Sequence, residues 1–121
     1  MNNILLVSGT RPEIIKLAPV YHALKAAGWA HVQWLHTGQH DDMATQILAC
    51  FGISPDIRLE RAGSSLLAFS TGCRQQLDAV MASRTWSLVM VQGDTESAFQ
   101  GALAAFYHRV PLAHVEAGLR T

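Results

Sequence analysis

The sequence predicts an α/β domain in which one parallel sheet carries helices on both faces, and three observations predict it. Short apolar runs alternate strictly with stretches whose apolar residues fall at helical spacing. The best of these runs are apolar throughout instead of alternating with polar residues, as strands covered on both faces are. The loops between elements are short, which implies right-handed crossovers and a strand order of 3-2-1-4-5.

Residues 3–8 (NILLVS) form the first strand. Thr10-Arg11-Pro12-Glu13 then matches a capping box, in which the Thr hydroxyl and Glu carboxylate satisfy exposed amides at a helix start. Pro12 suits that first turn, where a missing N–H costs nothing. Ile14, Leu17, Ala18, Tyr21 and Leu24 supply the buried stripe of helix one, which Pro19 should bend and Gly28 should end. Residues 31–36 (HVQWLH) read as strand two, and residues 41–51 as helix two, closed by Gly52. Residues 57–60 are a weak strand near an edge. Residues 66–84 carry Leu66, Phe69, Cys73, Leu77, Val80 and Met81 at helical spacing, with Gly72 as the weak point of helix three. Strand four is residues 87–92 (SLVMVQ). Helix four is the Ala-rich stretch 95–108, whose small face permits close packing on the sheet. Residues 111–116 (PLAHVE) are strand five. Trp29, Trp34 and Trp86 fall at element ends and are expected to pack.

The chain has 121 residues, half of them hydrophobic and 15% charged, which bounds it to one domain with a real core and excludes disorder. Its formal net charge is zero and no block of Lys or Arg stands out, so it lacks the electrostatic footprint of a nucleic-acid or membrane binder. The apolar runs are too short to cross a bilayer. Met-Asn-Asn-Ile-Leu-Leu enters a strand at once, without the basic region of a secretory signal. A soluble, cytoplasmic protein is expected. Cys50 and Cys73 lie in apolar helical patterns and read as core thiols instead of a disulfide. There is no low-complexity segment, linker or repeat beyond the β/α alternation.

In a 3-2-1-4-5 sheet, strands one and four are neighbours whose connections leave toward opposite faces. A crevice opens there above the carboxyl ends of the strands. Strand one delivers Gly9, Thr10 and Arg11 to it, with Lys16 one turn into the helix; strand four delivers Gly93, Asp94 and Thr95. Strand five, about 5 Å further along, delivers Glu116, Gly118 and Arg120. Cations thus line one wall and two carboxylates the other. Cations beside helix N-termini suit a phosphate or diphosphate, and paired carboxylates suit acid–base work. Each residue alone also has a structural reading of about equal weight: Arg11 pairing with a nearby acid, or Asp94 capping helix four. Their convergence on one crevice favours the functional reading.

The first turn has a single glycine, so it is neither a GxGxxG nor a GxxxxGK[ST] loop, which argues against an ordinary NAD-binding domain or a P-loop NTPase. His36-Thr-Gly-Gln-His40-Asp41-Asp42 has the residue types of a metal site, but a structural reading is preferred by roughly four to one. In it, His36 ends a strand and Asp41 or Asp42 caps helix two. Gln39 and His40 stay as ligand contacts on the loop after strand two. His114 is expected to pack or hydrogen-bond inside strand five, and His22, His31 and His108 to lie at or near the surface.

Taken together, SGTRPEIIKLAPV, TGQH, VQGDTESA and AAFYHRVPLAHVEAGLRT, with their spacings, resemble the non-hydrolysing UDP-N-acetylglucosamine 2-epimerases. That family has a GTRPE-x-IK-x-AP opening, an HGDT turn and a VEAGLRT segment. The resemblance spans this whole chain but only the opening third of such an enzyme, which is built from two Rossmann-like domains of the GT-B type. It implies interconversion of UDP-GlcNAc and UDP-ManNAc by elimination and re-addition of UDP, through 2-acetamidoglucal, with no cofactor and no metal. Matched motif to motif, Arg11 and Lys16 would contact the nucleotide or its phosphates, with Gly9, Thr10, Thr95 and Arg120 around the substrate. Asp94 and Glu116 would be the catalytic carboxylates. Gln39 and His40 match a loop that contributes to an allosteric site for a second UDP-GlcNAc in some bacterial members.

Two departures stand out. Gln92 replaces the His that usually precedes Gly-Asp-Thr, which removes a titratable group. Ala62-Gly63-Ser64-Ser65 stands where a Pro-Gly-Gln stretch is frequent, which bears on the allosteric loop. The chain alone is expected to be inactive for want of the nucleotide-binding half, and its last strand to leave an edge that favours self-association or a homodimer. The competing readings are a fragment of a GT-B glycosyltransferase and a non-catalytic UDP-sugar-binding or packing module.

Overall fold

Five parallel strands form the middle layer of the computed structural model, which describes residues 2–40, 42–61 and 63–116, the side chain of Asp42 excepted. They are β1 (Asn2–Ser8), β2 (Ala30–His36), β3 (Ile57–Arg58), β4 (Leu88–Gln92) and β5 (Leu112–Val115), ordered β3-β2-β1-β4-β5 as the alternation predicted. Four helices connect them: α1 (Arg11–Ala27), α2 (Asp42–Cys50), α3 (Leu66–Ala82) and α4 (Glu96–Tyr107). The elements fall within a few residues of the expected bounds. β3 is shorter than the sequence implied, only two residues, and is one of the two edge strands.

Side-chain alternation along the strands divides the core in two. Ile4, Leu6, Val32, Trp34 and Met90 face Ile14, Leu17, Tyr21 and Leu48 of α1 and α2. Leu5, Val7, Leu35, Val89 and Val91 face Phe69, Cys73, Leu77 and the alanines of α4. β1 lies between β2 and β4, and from Ile4 onward it is buried on both faces, which is why its sequence is apolar without interruption. The small face of α4 does approach the sheet closely. A Cβ built on Gly101 would stand 2.9 Å from Cγ1 of Val91 and 3.5 Å from Cβ of Val7.

The helix ends follow the local chemistry with one exception. Gly28 ends α1 in the left-handed region, at φ 75°. Ser65 and Thr95 cap α3 and α4 by accepting the amides of Ala68 and Ala98. At α1, Thr10 occupies the N-cap but its hydroxyl accepts no amide; it donates to Glu13 Oε1 instead, at 2.8 Å. The Thr half of the expected capping box is therefore absent. α1 runs unbroken through the exposed Pro19. The proposed cap at Asp41 lies outside the described residues.

Two further expectations are corrected. Cys73 is a core thiol, but Cys50 is exposed: Ala44 and Leu48 take the inner face of α2, and Cys50 falls on the other side. Trp34 is wholly buried inside β2, not at its end, whereas Trp29 is 54% exposed beside the N-terminal ends of β1 and β4. Burial, with a smaller contribution from Glu96, pushes the Cys73 thiol up to about 12. A thiol reagent at neutral pH is therefore expected to modify Cys50 at once and Cys73 only on unfolding. Two thiols reacting at comparable rates in the native chain would contradict this.

Candidate active site

The crevice lies where β1 and β4 run side by side while α1 and α4 depart on opposite faces of the sheet. Its floor is a dense set of polar contacts. Gly9 is buried, and a Cβ there would come within 1.9 Å of Ser97 Oγ and 2.5 Å of Thr37 Oγ1. Only glycine lets β1 pass so close to the start of α4. Thr37 and Ser97 hydroxyls are 2.7 Å apart, and Gln39 Oε1 accepts both the Ser97 amide and its hydroxyl, at 3.1 and 2.6 Å. The loop after β2 is tied down as well: the His40 amide donates to the Gly9 carbonyl at 3.0 Å, and Arg61 donates to the Gln39 carbonyl at 2.7 Å. Deeper, Trp34 Nε1 donates to Ser8 Oγ at 2.8 Å, and the Ser8 hydroxyl faces His36 Nδ1 at 3.1 Å.

Glu13 is the least expected member. It is 1% exposed, and its Oε1 accepts from Thr10 and from Thr95, at 2.8 and 2.9 Å. Among the described residues, its Oε2 is buried without a hydrogen-bond partner. Burial pushes this carboxyl above the ordinary 4.5; the two hydroxyls and the backbone amides of Gly9 and Thr10 act against burial without cancelling it. The sequence did hold a signal, since Glu13, Leu17 and Tyr21 share one i, i+4 stripe, the stripe that α1 buries.

The folded form thus holds its proton to higher pH than the unfolded chain does. The stability Glu13 contributes is complete below 4.5 and is lost as pH rises from there through the raised folded value. Subtracting the stability–pH profile of Glu13→Gln from that of the parent should leave a difference that falls across this window. A flat or rising difference would show that burial does not dominate.

The charged residues named from the sequence stand above this floor. Arg11 opens α1 and Lys16 follows just over one turn later, both exposed and, among the described residues, without an ion-pair or hydrogen-bond partner. Asp94 is exposed in the turn after β4, and Thr95, not Asp94, caps α4. Glu116 is exposed just past β5, whose register pairs Val115 with Gln92. The structural readings of Arg11 and Asp94 therefore fail among the described residues. Gly9, Thr10, Thr95 and the Gln39 carbonyl oxygens, by contrast, have structural duties in the floor. His40 is exposed, and Arg120 lies outside the described residues.

His114 has a duty that its place in β5 only hinted at. Its Nε2 lies 2.6 Å from the Gly93 carbonyl, so the ring carries its proton there and holds the turn that presents Asp94. Beside that turn a cleft of about 340 Å³ runs between α4 and β5, lined by Asp94, Thr95 and His114 at one end and by Val91, Phe99 and Leu112 along its wall.

Fold and site together define a Rossmann-like α/β domain, its charged side chains gathered at the switch point of a parallel sheet and its backbone matching a third of GT-B-like epimerase structures. The chain belongs to the UDP-N-acetylglucosamine 2-epimerase family, whose model matches residues 22–121. It is similar to the UDP-N-acetylglucosamine 2-epimerase of Yersinia pestis, 41% identical over 120 residues that make up 98% of this chain and 32% of that protein. Among solved structures it is similar to S. aureus MnaA in a co-structure with UDP, with a TM-score of 0.90 and 39% identity over 99% of this chain and 32% of that one. It is similar too to the UDP-GlcNAc 2-epimerase from Neisseria meningitidis bound to UDP-GlcNAc, with a TM-score of 0.87 and 39% identity over 98% and 33% of the two chains. The chain spans about a third of the length of these relatives. No helix among the described residues is long and apolar enough to cross a membrane.

Proposed function

We propose that the crevice receives a UDP-sugar and that this chain supplies one face of a 2-epimerase active site interconverting UDP-GlcNAc and UDP-ManNAc. The observation that carries this reading is the division of labour just described: buried Glu13 and Ser97, with half-buried Thr95 and Gln39, do the structural work, leaving Arg11, Lys16, Asp94 and Glu116 exposed at the strand ends. Family membership and the UDP and UDP-GlcNAc held by the two solved relatives support the ligand class.

The chemistry needs both kinds of side chain. No carbonyl adjoins C2 of the sugar, so its proton is not acidic enough for simple abstraction. The C2–H bond instead breaks with the C1–O bond: a carboxylate takes the proton, a C1=C2 double bond forms, and UDP leaves with the electron pair. In this reading Arg11 and Lys16 stabilise the charge that grows on the diphosphate, while Asp94 and Glu116 take and return the proton. Re-addition of UDP after protonation on the other face of C2 gives the epimer.

Incubation with UDP-GlcNAc in deuterated water tests this. The expected result is deuterium at C2 once the chain is completed by the remaining two thirds of a relative, and none with the chain alone. An unlabelled sugar in the completed protein would reject the catalytic reading in favour of a binding or packing module.

A further inference from the structure

We propose that Glu13 is a positioning residue, a clamp whose one buried oxygen joins the N-caps of α1 and α4 and so sets the Arg11–Lys16 wall against the Asp94 turn. The clamp stands on geometry alone; its consequence for turnover rests on the function proposed above.

The direction of each bond is forced. Thr95 Oγ1 accepts the Ala98 amide at 3.1 Å, so its single proton is free to go to Glu13 Oε1 at 2.9 Å. Thr10 gives its proton to the same oxygen at 2.8 Å. The line therefore runs from the α4 amide through Thr95 to Glu13 and on to Thr10, joining residues 82 apart in sequence. It joins α1 on one face of the sheet to α4 on the other, beneath the crevice.

Local helix chemistry explains only part of this arrangement: the Thr10 amide bonds Glu13 as a capping box requires, but the tie from Thr95 serves neither helix end. Thr10 sits at the N-cap of α1 with its hydroxyl turned away from the amides it would ordinarily serve. α4 is capped by Thr95 and has no need of Glu13. A carboxyl with one oxygen buried and, among the described residues, unpartnered is costly to keep at such a position. A local preference is thus set aside for a long-range tie, a pattern that marks functional sites. Arg11 lies one residue after Thr10 and Asp94 one residue before Thr95, so the tie fixes the relative placement of the two charged walls.

The test uses hydrogen exchange and amide NMR on the 121-residue chain for Glu13→Ala, Thr95→Val, Thr95→Ser and the double variant Glu13→Ala/Thr95→Val. Glu13→Ala is expected to speed exchange at the Ala98 amide about tenfold more than at Leu77 in α3, and to shift the Asp94 and Thr95 amides. Thr95→Ser keeps the hydroxyl and should stay near the parent, whereas the double variant should be no worse at Ala98 than Thr95→Val alone. Effects of Glu13→Ala confined to α1, or spread evenly through α3, would overturn the clamp; so would additive losses at Ala98. In the chain completed by the rest of a relative, Glu13→Ala should lower kcat about tenfold to a hundredfold while KM changes far less, and Thr95→Ser should retain turnover. Equal losses in kcat from Thr95→Ser and Thr95→Val would also count against the clamp. A completed parent without turnover rejects the proposed function and leaves the exchange pattern to decide the clamp.

Discussion

Gly9→Ala is expected to lower the melting temperature by about 10 °C or more and to loosen the start of α4, although it adds a single methyl group. The new Cβ would meet Ser97 Oγ at 1.9 Å, Ser97 Cβ at 2.7 Å and Thr37 Oγ1 at 2.5 Å, so β1 and the first turn of α4 must separate. Overpacking of a filled interior costs about 1–3 kcal/mol. Here the displaced atoms also belong to a buried network, Thr37–Ser97–Gln39, whose orphaned members add about 1–3 kcal/mol more. A total of about 3 kcal/mol corresponds to the stated shift for a domain of this size. Thermal unfolding followed by circular dichroism measures it. A fall of less than about 3 °C would mean that the floor of the crevice yields more easily than its contacts indicate.

Asp94→Asn, in the chain completed by the rest of a relative, is expected to cut kcat by about a thousandfold, in the range that one acid–base group supplies. The same change should cost less than about 1 kcal/mol of stability, because the side chain is exposed and Thr95 performs the capping of α4. Glu116→Gln should behave alike. Thr95→Val makes the contrasting control: it removes the cap and should cost about 1 kcal/mol. Single-turnover assays beside urea titrations of each variant separate the two effects. Turnover within a few-fold of the parent would remove Asp94 or Glu116 from the proton transfer and move the search to groups supplied by the remainder of the enzyme.

The contrast between neighbours Asp94 and Thr95 shows how far the sequence could be read. Both have side chains able to cap a helix, and only the fold shows that Thr95 accepts the Ala98 amide while Asp94 stays exposed. Gln39 was legible as a residue of the right loop, yet its side chain turns inward to Ser97, 58 residues away. The exposure of Cys50 and Trp29 was misread for a related reason: an apolar pattern locates the buried stripe of an element but not where its packed layer ends. Glu13 was read as half of a local motif; it keeps the Thr10 amide as that motif requires, and is also one end of a contact across the sheet.

What the sequence determined by itself is whatever depends on periodicity and on turns. The spacing of apolar residues set element type, the alternation of elements set the parallel order, and that order placed Arg11, Lys16, Asp94 and Glu116 at one end of the sheet. What only the tertiary structure decided is which polar groups are spent inside and which remain for a ligand. That division turns on side chains from distant segments meeting within hydrogen-bonding distance, and on the loss of water around them. Neither is encoded in local spacing: the helical stripe of Glu13, Leu17 and Tyr21 marks Glu13 as inward-facing, but not which groups from distant segments it meets there.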